Sequence, residues 1–232
     1  MIDPDTLPPQ PRIPMTARLA RWFRDEPVTA VLFTLCIGIE AILQGADYRL
    51  WGGPHWRDVA YTYGGFWGGL LHGWQPAYAG QGVAMFLSYS FLHGGILHVG
   101  MNMMALISLG RPVSQRLGQG RYLALYLLSA IGGGLGFALI TYTTELMVGA
   151  SGALFGLAGA ILAWAWADRR RFGQSRVEVA RVLARPLAYL VGINVVMFWA
   201  LSGGLAWGCH LGGFVTGWAL GLLLDRRYRR FA

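Results

Sequence analysis

Long apolar runs separated by short polar clusters dominate the chain. They lie at roughly 28–46, 94–110, 122–141, 150–167, 187–203 and 207–224. A helix needs about 20 residues to cross the hydrocarbon core of a bilayer. The pattern therefore predicts an all-α polytopic membrane protein, a bundle of six transmembrane helices over 27–225. A polar, Pro-rich tail (1–26) precedes the bundle and a basic tail (226–232) follows it. The first 26 residues lack a basic start leading directly into an apolar run and a small-residue cleavage site, so no cleaved signal peptide is expected. No repeat of fixed period is found.

One connection breaks the rhythm. The stretch from about 47 to 93 is far longer than a usual helix connection. It carries Tyr61-Thr-Tyr-Gly-Gly-Phe-Trp-Gly-Gly-Leu-Leu-His-Gly-Trp74. Aromatic side chains among glycines suit the bilayer interface, and the expectation is a loop partly embedded and packed on the bundle. His55 and His72, within it, read as surface or interfacial residues.

Charge fixes the orientation. Only 13% of the residues are charged, about half the share in a soluble domain. The chain has no Lys, and its 19 basic residues are all Arg. Seventeen of them fall in the two tails and in the second-to-third and fourth-to-fifth connections; only Arg49 and Arg57 lie elsewhere, both in the first loop. Under the positive-inside rule both termini face the cytoplasm and the long loop faces outward. The net charge of +8 is spread over these clusters, which argues against a nucleic-acid surface. The Arg-only composition points to a GC-rich bacterial genome, hence to an inner membrane with the outer side periplasmic. Cys36 and Cys209 are too few for a disulfide framework and read as small packing residues.

Polar groups inside membrane helices are costly and therefore informative. With this orientation the second, fourth and sixth helices all enter from outside. Near the entry of the second are His98 and Asn102, one turn apart on one face. At the entry of the fourth is Ser151, within Gly149-Ala-Ser-Gly152; at the entry of the sixth is His210. A hydroxyl, two imidazoles and an amide thus share one depth. A Ser hydroxyl needs a base to become a nucleophile, and His is the usual one. Acyl transfer also needs donors aimed at the oxyanion. His98, Asn102 and the backbone N–H groups at a helix beginning at Ser151 qualify. Gly149 and Gly152 allow close backbone approach. Gly213 and Gly217 give the sixth helix a small-residue face on which to meet the fourth, which has Gly152, Gly156 and Gly159. Glu40, the one acid deep in a span, reads as a buried packing residue or hydrogen-bonding partner rather than a third catalytic member. The residues spell a Ser–His dyad. No metal, nucleotide or other cofactor is implied, since neither H-E-x-x-H nor a Cys/His ligand spacing occurs.

Gly149-Ala-Ser-Gly152, His98-x-x-x-Asn102 and His210-x-x-Gly213-x-x-x-Gly217, in this order and on separate helices, resemble the rhomboid intramembrane serine proteases over about residues 84–224. The resemblance implies Ser151 as nucleophile, His210 as general base and then acid, and His98 and Asn102 in the oxyanion hole. It implies a supporting place for His93 near the mouth of the site and for Phe155 as a ring stacked on the catalytic histidine. It also implies substrates that are transmembrane proteins entering from the lipid, cut where the helix is weak. Three departures stand out. Ala84-Met85 occupies the place of a Trp-Arg pair common in the family, and Trp56-Arg57 lies too far upstream to be that pair. Cys209 precedes His210 where Ala is usual, and Phe155 lacks the hydroxyl of the more frequent Tyr. Two rival readings are a rhomboid-like scaffold that binds membrane proteins without cutting them, and a small channel or transporter. The chain keeps both Ser151 and His210, which opposes the first. It lacks inverted halves and a polar series across the full depth, which opposes the second.

Overall fold

A computed structural model describes residues 14, 21–140, 145–200 and 206–225. Most of the 1–26 tail, the 226–232 tail, and residues 201–203 of the fifth apolar run lie outside the described residues. The long helices are α1 (Pro27–Asp47), α4 (Ile96–Leu117), α5 (Gln119–Ile140), α6 (Ser151–Arg171), α7 (Arg176–Ala200) and α8 (Trp207–Leu224). Between α1 and α4 lie α2 (His55–Gly64) and α3 (Gln81–Ser88), with single 3-10 turns at Gly68–His72 and Tyr89–Phe91. The chain is an all-α membrane bundle. Among the described residues, five helices are long and apolar enough to span a bilayer: α1, α4, α5, α6 and α8.

Two helices outrun their apolar segments. α4 continues past residue 110 through Arg111, Pro112 and Arg116, and stops at Gly118 (φ 79°), whose N–H donates to Ser114 O at 2.7 Å. Apolarity marks only the part of a helix in lipid, so the polar end was invisible to a hydropathy reading. α7 begins eleven residues before its predicted run because Ser175 and Glu178 form a capping box: Ser175 N–H donates to Glu178 Oε2 (2.7 Å) and Glu178 N–H to Ser175 Oγ (3.2 Å).

The 47–93 connection is mostly helical. Its strand β1 (Phe66–Trp67) pairs antiparallel with β2 (Leu146–Met147), Phe66 opposite Met147. Phe66, Met85 and Tyr89 are fully buried with Phe137 and Cys209, so the connection contributes a core of its own. Trp51, Trp56, Trp74 and Tyr78 remain exposed, as amphipathic rings at a bilayer interface are.

α6 is the central helix and the most buried of the five spans. Glycines make this possible. A Cβ at Gly213 would strike Gly152 O, one at Gly217 would strike Gly156 O, and one at Gly159 would strike Phe214 O. On its other side α8 is as close to α5, where a Cβ at Gly136 would strike Gly208 O and one at Gly212 would strike Gly132 O. Backbone therefore touches backbone along both seams, the arrangement small residues permit in lipid. At the far end of α6, Arg116 binds Asp168 (2.8 and 3.1 Å) and Asp225 (2.7 Å) and lies 4.6 Å over the Trp164 ring, tying together α4, α6 and the end of α8.

Candidate active site

Ser151 is the first residue of α6. It is reached through Gly149, whose φ of 127° is open to glycine but strained for other residues. The Gly149 N–H donates to Tyr89 O at 3.0 Å, fixing the turn against the loop core. Ala150 caps α6 without a side-chain hydrogen bond. The first N–H groups of a helix lack carbonyls of their own turn, so the Ser151 end is a cluster of backbone donors at the positive end of the helix dipole.

His210 lies in the first turn of α8 and is 8% exposed. Its Nε2 is 2.8 Å from Ser151 Oγ. Two features bring them together. The Gly213–Gly152 contact lets the helices approach at the level of the pair. Phe155, one turn below Ser151, lies flat against the His210 ring, with centroids 4.4 Å apart and planes 6° apart. The residue before His210, Cys209, is buried and sits 3.4 Å from Tyr89 Oη, which itself donates to Ala130 O at 2.8 Å. A larger residue at position 209 would push against Gly133 and Gly152.

From α4, His98 reaches the start of α6 at Gly149, and Asn102 lies one turn along α4 from it. His98 Nδ1 accepts from Gly94 N–H at 3.1 Å. An accepting Nδ1 carries no proton, so the donor of the neutral ring is Nε2. That nitrogen is 2.9 Å from where a Cβ on Gly149 would stand, beside the start of α6. Asn102 is buried and donates one amide N–H to His98 O at 2.9 Å. One of its donors thus belongs to its own helix, and a second N–H remains on the same amide. His93 is fully buried and edge-on to His98, with centroids 5.2 Å apart and planes 73° apart. Neither of its ring nitrogens makes a hydrogen bond of good geometry among the described residues. Burial first, and the neighbouring His98 second, push its pKa down to about 3, against a weaker pull from the Phe91 backbone. Ser151, His210, Phe155, Gly152, Gly213, Gly149 and His98 thus come together at one end of α6, with His93 against His98; Gly217 meets Gly156 further along the helix, and His55 and His72 are exposed in the first loop.

Behind His98 lies a charged group that no sequence motif marks. Glu40, 3% exposed, forms a two-pronged ion pair with Arg57 (2.8 and 3.2 Å). Arg57 also donates to Asp47 Oδ2 (2.7 Å), Tyr61 Oη (3.3 Å) and the His93 carbonyl (2.9 Å). Burial works against the Arg57 cation, but the hydrogen bonds to Glu40, Tyr61 and Asp47 outweigh it and raise its pKa. A signal existed: an acid deep in an apolar run calls for a partner, and the outer loop offers only Arg49 and Arg57. Trp56, beside Arg57, points outward and is 39% exposed, while Met85 is fully buried in the loop core.

A model of the Rhomboid domain matches residues 80–227. The chain belongs to the rhomboid family. It is 34% identical over 138 residues to RHOMBOID-like protein 4 of Arabidopsis thaliana, covering 60% of this chain and 33% of that one. It is 34% identical over 139 residues to Rhomboid protease GluP of Bacillus subtilis, covering 56% and 25%. It is 33% identical over 144 residues to Rhomboid-type serine protease 2 of Emericella nidulans, covering 61% and 27%. The chain spans a quarter to a third of the length of these three rhomboid relatives. They come from a plant, a bacterium and a fungus, so kinship alone assigns no compartment.

Proposed function

We propose that this rhomboid is an intramembrane serine endopeptidase that cuts transmembrane or membrane-proximal segments of other membrane proteins with Ser151 and His210. The observation that carries the reading is the 2.8 Å approach of His210 Nε2 to Ser151 Oγ. Ser151 Oγ attacks the scissile carbonyl carbon while His210 Nε2 takes its proton. The carbonyl oxygen becomes an oxyanion, received by His98 Nε2–H, the backbone N–H of Ser151 and the Asn102 amide. The intermediate collapses, and His210 returns the proton to the departing amine. Water, deprotonated by His210, then attacks the acyl carbon, and as the bond to Ser151 Oγ breaks His210 returns the proton to that oxygen. Phe155 holds the imidazole plane through the cycle.

The bilayer supplies substrate and sets orientation. The Arg distribution puts both termini in the cytoplasm and the Ser151 end of α6 on the outer side, the periplasm if the membrane is a bacterial inner membrane. A single-span protein entering from the lipid must expose a peptide carbonyl, so the cut segment is weakly helical and rich in Gly, Ala or Ser. The bundle at 27–225 forms one catalytic domain between two cytoplasmic tails. Reconstitution in liposomes with a single-span model substrate tests the reading: the wild type cleaves it, and folded Ser151→Ala does not. Cleavage by Ser151→Ala would refute it.

A further inference from the structure

Glu40 and Asp47 lie two turns apart on one face of α1, and Arg57 and Tyr61 lie one turn apart on α2. The guanidinium between them donates to both carboxylates, to the Tyr61 hydroxyl and to one backbone carbonyl, that of His93. The Tyr61 hydroxyl donates to the same carbonyl at 2.8 Å. The other face of that peptide unit is the Gly94 N–H, and it donates to His98 Nδ1. One peptide plane therefore has a cation and a phenol on its oxygen and the His98 ring on its nitrogen. A salt bridge meant only to join α1 to α2 needs no backbone carbonyl, and an apolar pair packs such a contact equally well. Placing positive charge on a peptide oxygen polarises the amide and makes its N–H a stronger donor, as in other hydrogen-bond chains.

We propose that Arg57, held by Glu40 and Asp47, is a positioning residue that sets the tautomer and ring orientation of His98 through the peptide linking His93 to Gly94. By keeping Nδ1 of His98 as acceptor, it keeps the proton on Nε2, the nitrogen beside Gly149. His98 is thereby ready to donate before substrate arrives. The role resembles that of groups behind metal-bound histidines, which fix the tautomer through the far nitrogen. Its kinetic consequence rests on the peptidase reading above; its spectroscopic consequence does not.

The test compares wild type, Arg57→Met, Tyr61→Phe and Glu40→Gln in nanodiscs. Imidazole ¹⁵N NMR, with the His98 signals assigned by their loss in His98→Gln, reads the tautomer without turnover. Wild type is expected to show Nε2 protonated and Nδ1 bare. Arg57→Met is expected to show a mixture of tautomers, and kcat for a model substrate is expected to fall about tenfold at unchanged KM. That is less than the ~100-fold or greater loss from deleting an oxyanion donor outright. Tyr61→Phe, which removes one of the two donors to the His93 carbonyl, is expected to shift the same signals less. A folded Arg57→Met protein with the wild-type tautomer overturns the proposal, as does a wild-type His98 protonated on Nδ1. If Arg57→Met does not fold, unchanged His98 signals in both Tyr61→Phe and Glu40→Gln overturn it. Altered His98 signals in the variants, beside a folded wild type that cleaves no membrane substrate, would support the positioning role and refute the peptidase reading.

Discussion

Gly213 of α8 rests on the carbonyl of Gly152 in α6 so closely that no side chain fits between them. The contact lies one residue from Ser151 and three from His210, so helix packing and the geometry of the pair share one cause. Gly213→Ala and Gly217→Ala must push two backbones apart, because the obstacles are the carbonyls of Gly152 and Gly156 rather than flexible side chains. Overpacking of this kind costs about 1–3 kcal/mol. Both variants are expected to lower the thermal midpoint and to lose most activity. Gly120→Ala, where a Cβ meets nothing within 4 Å, is the control expected to keep both. Differential scanning fluorimetry beside a cleavage assay decides the matter.

The parallel stack of Phe155 on His210 predicts a graded series. Phe155→Tyr keeps the ring and should stay within about twofold of wild type. Phe155→Leu keeps much of the volume and loses the stack, which is worth about 0.5–1.5 kcal/mol. If that energy holds the imidazole toward Ser151, kcat falls up to about tenfold at constant KM. An equal kcat in Phe155→Leu would show that the stack does not orient the base.

His93 predicts a pH dependence of stability. In the unfolded chain its imidazole titrates near the ordinary 6.5; in the folded protein it does so at about 3. Between these values the unfolded state binds a proton that the folded state does not, so acid favours unfolding. The contribution is fully present above pH 6.5 and is lost as pH falls toward 3, by at most about 1.4 kcal/mol per pH unit. His93→Phe removes this proton, so its melting temperature should fall less between pH 7 and pH 4 than that of the wild type. Parallel curves would contradict the assignment of a buried neutral imidazole.

Arg116 makes a separate prediction at the opposite end of α6. The Arg116–Asp225 pair is largely buried, and breaking such a pair by removing one partner costs about 3–5 kcal/mol; Arg116 also binds the more exposed Asp168 and covers Trp164. Arg116→Met is therefore expected to lower the thermal midpoint strongly. Ser151 lies 17 residues from Asp168 along α6, roughly 25 Å away, so labelling of Ser151 by a fluorophosphonate below the melting temperature is expected to persist.

What could be read from sequence alone followed from depth and spacing. Apolar length located α1, α5, α6 and α8 closely, and the positive-inside pattern brought Ser151, His98 and His210 to one level before any coordinates. Gly213 and Gly217 were legible because a small-residue period three residues after His210 has a steric meaning. Their counterparts on α5, Gly132 and Gly136, were not, because the run Gly132–Gly134 has no helical period that names a partner helix. The extensions of α4 and α7 escaped because hydropathy sees lipid rather than hydrogen bonding; Ser175 and Glu178 carried the missing capping signal. The Arg57 group escaped for a different reason. Ion pairs across a long connection depend on where α2 folds back, and in sequence Arg57 reads only as one of two Arg residues in the outer loop.

The most direct test is to treat the purified protein in lipid with a fluorophosphonate and map the adduct by mass spectrometry. The account predicts one modified residue, Ser151, with labelling lost in folded His210→Ala and cleavage of a membrane substrate lost in step with labelling. A substrate still cut after Ser151 is fully modified, or labelling of Ser151 undiminished in His210→Ala, would contradict it.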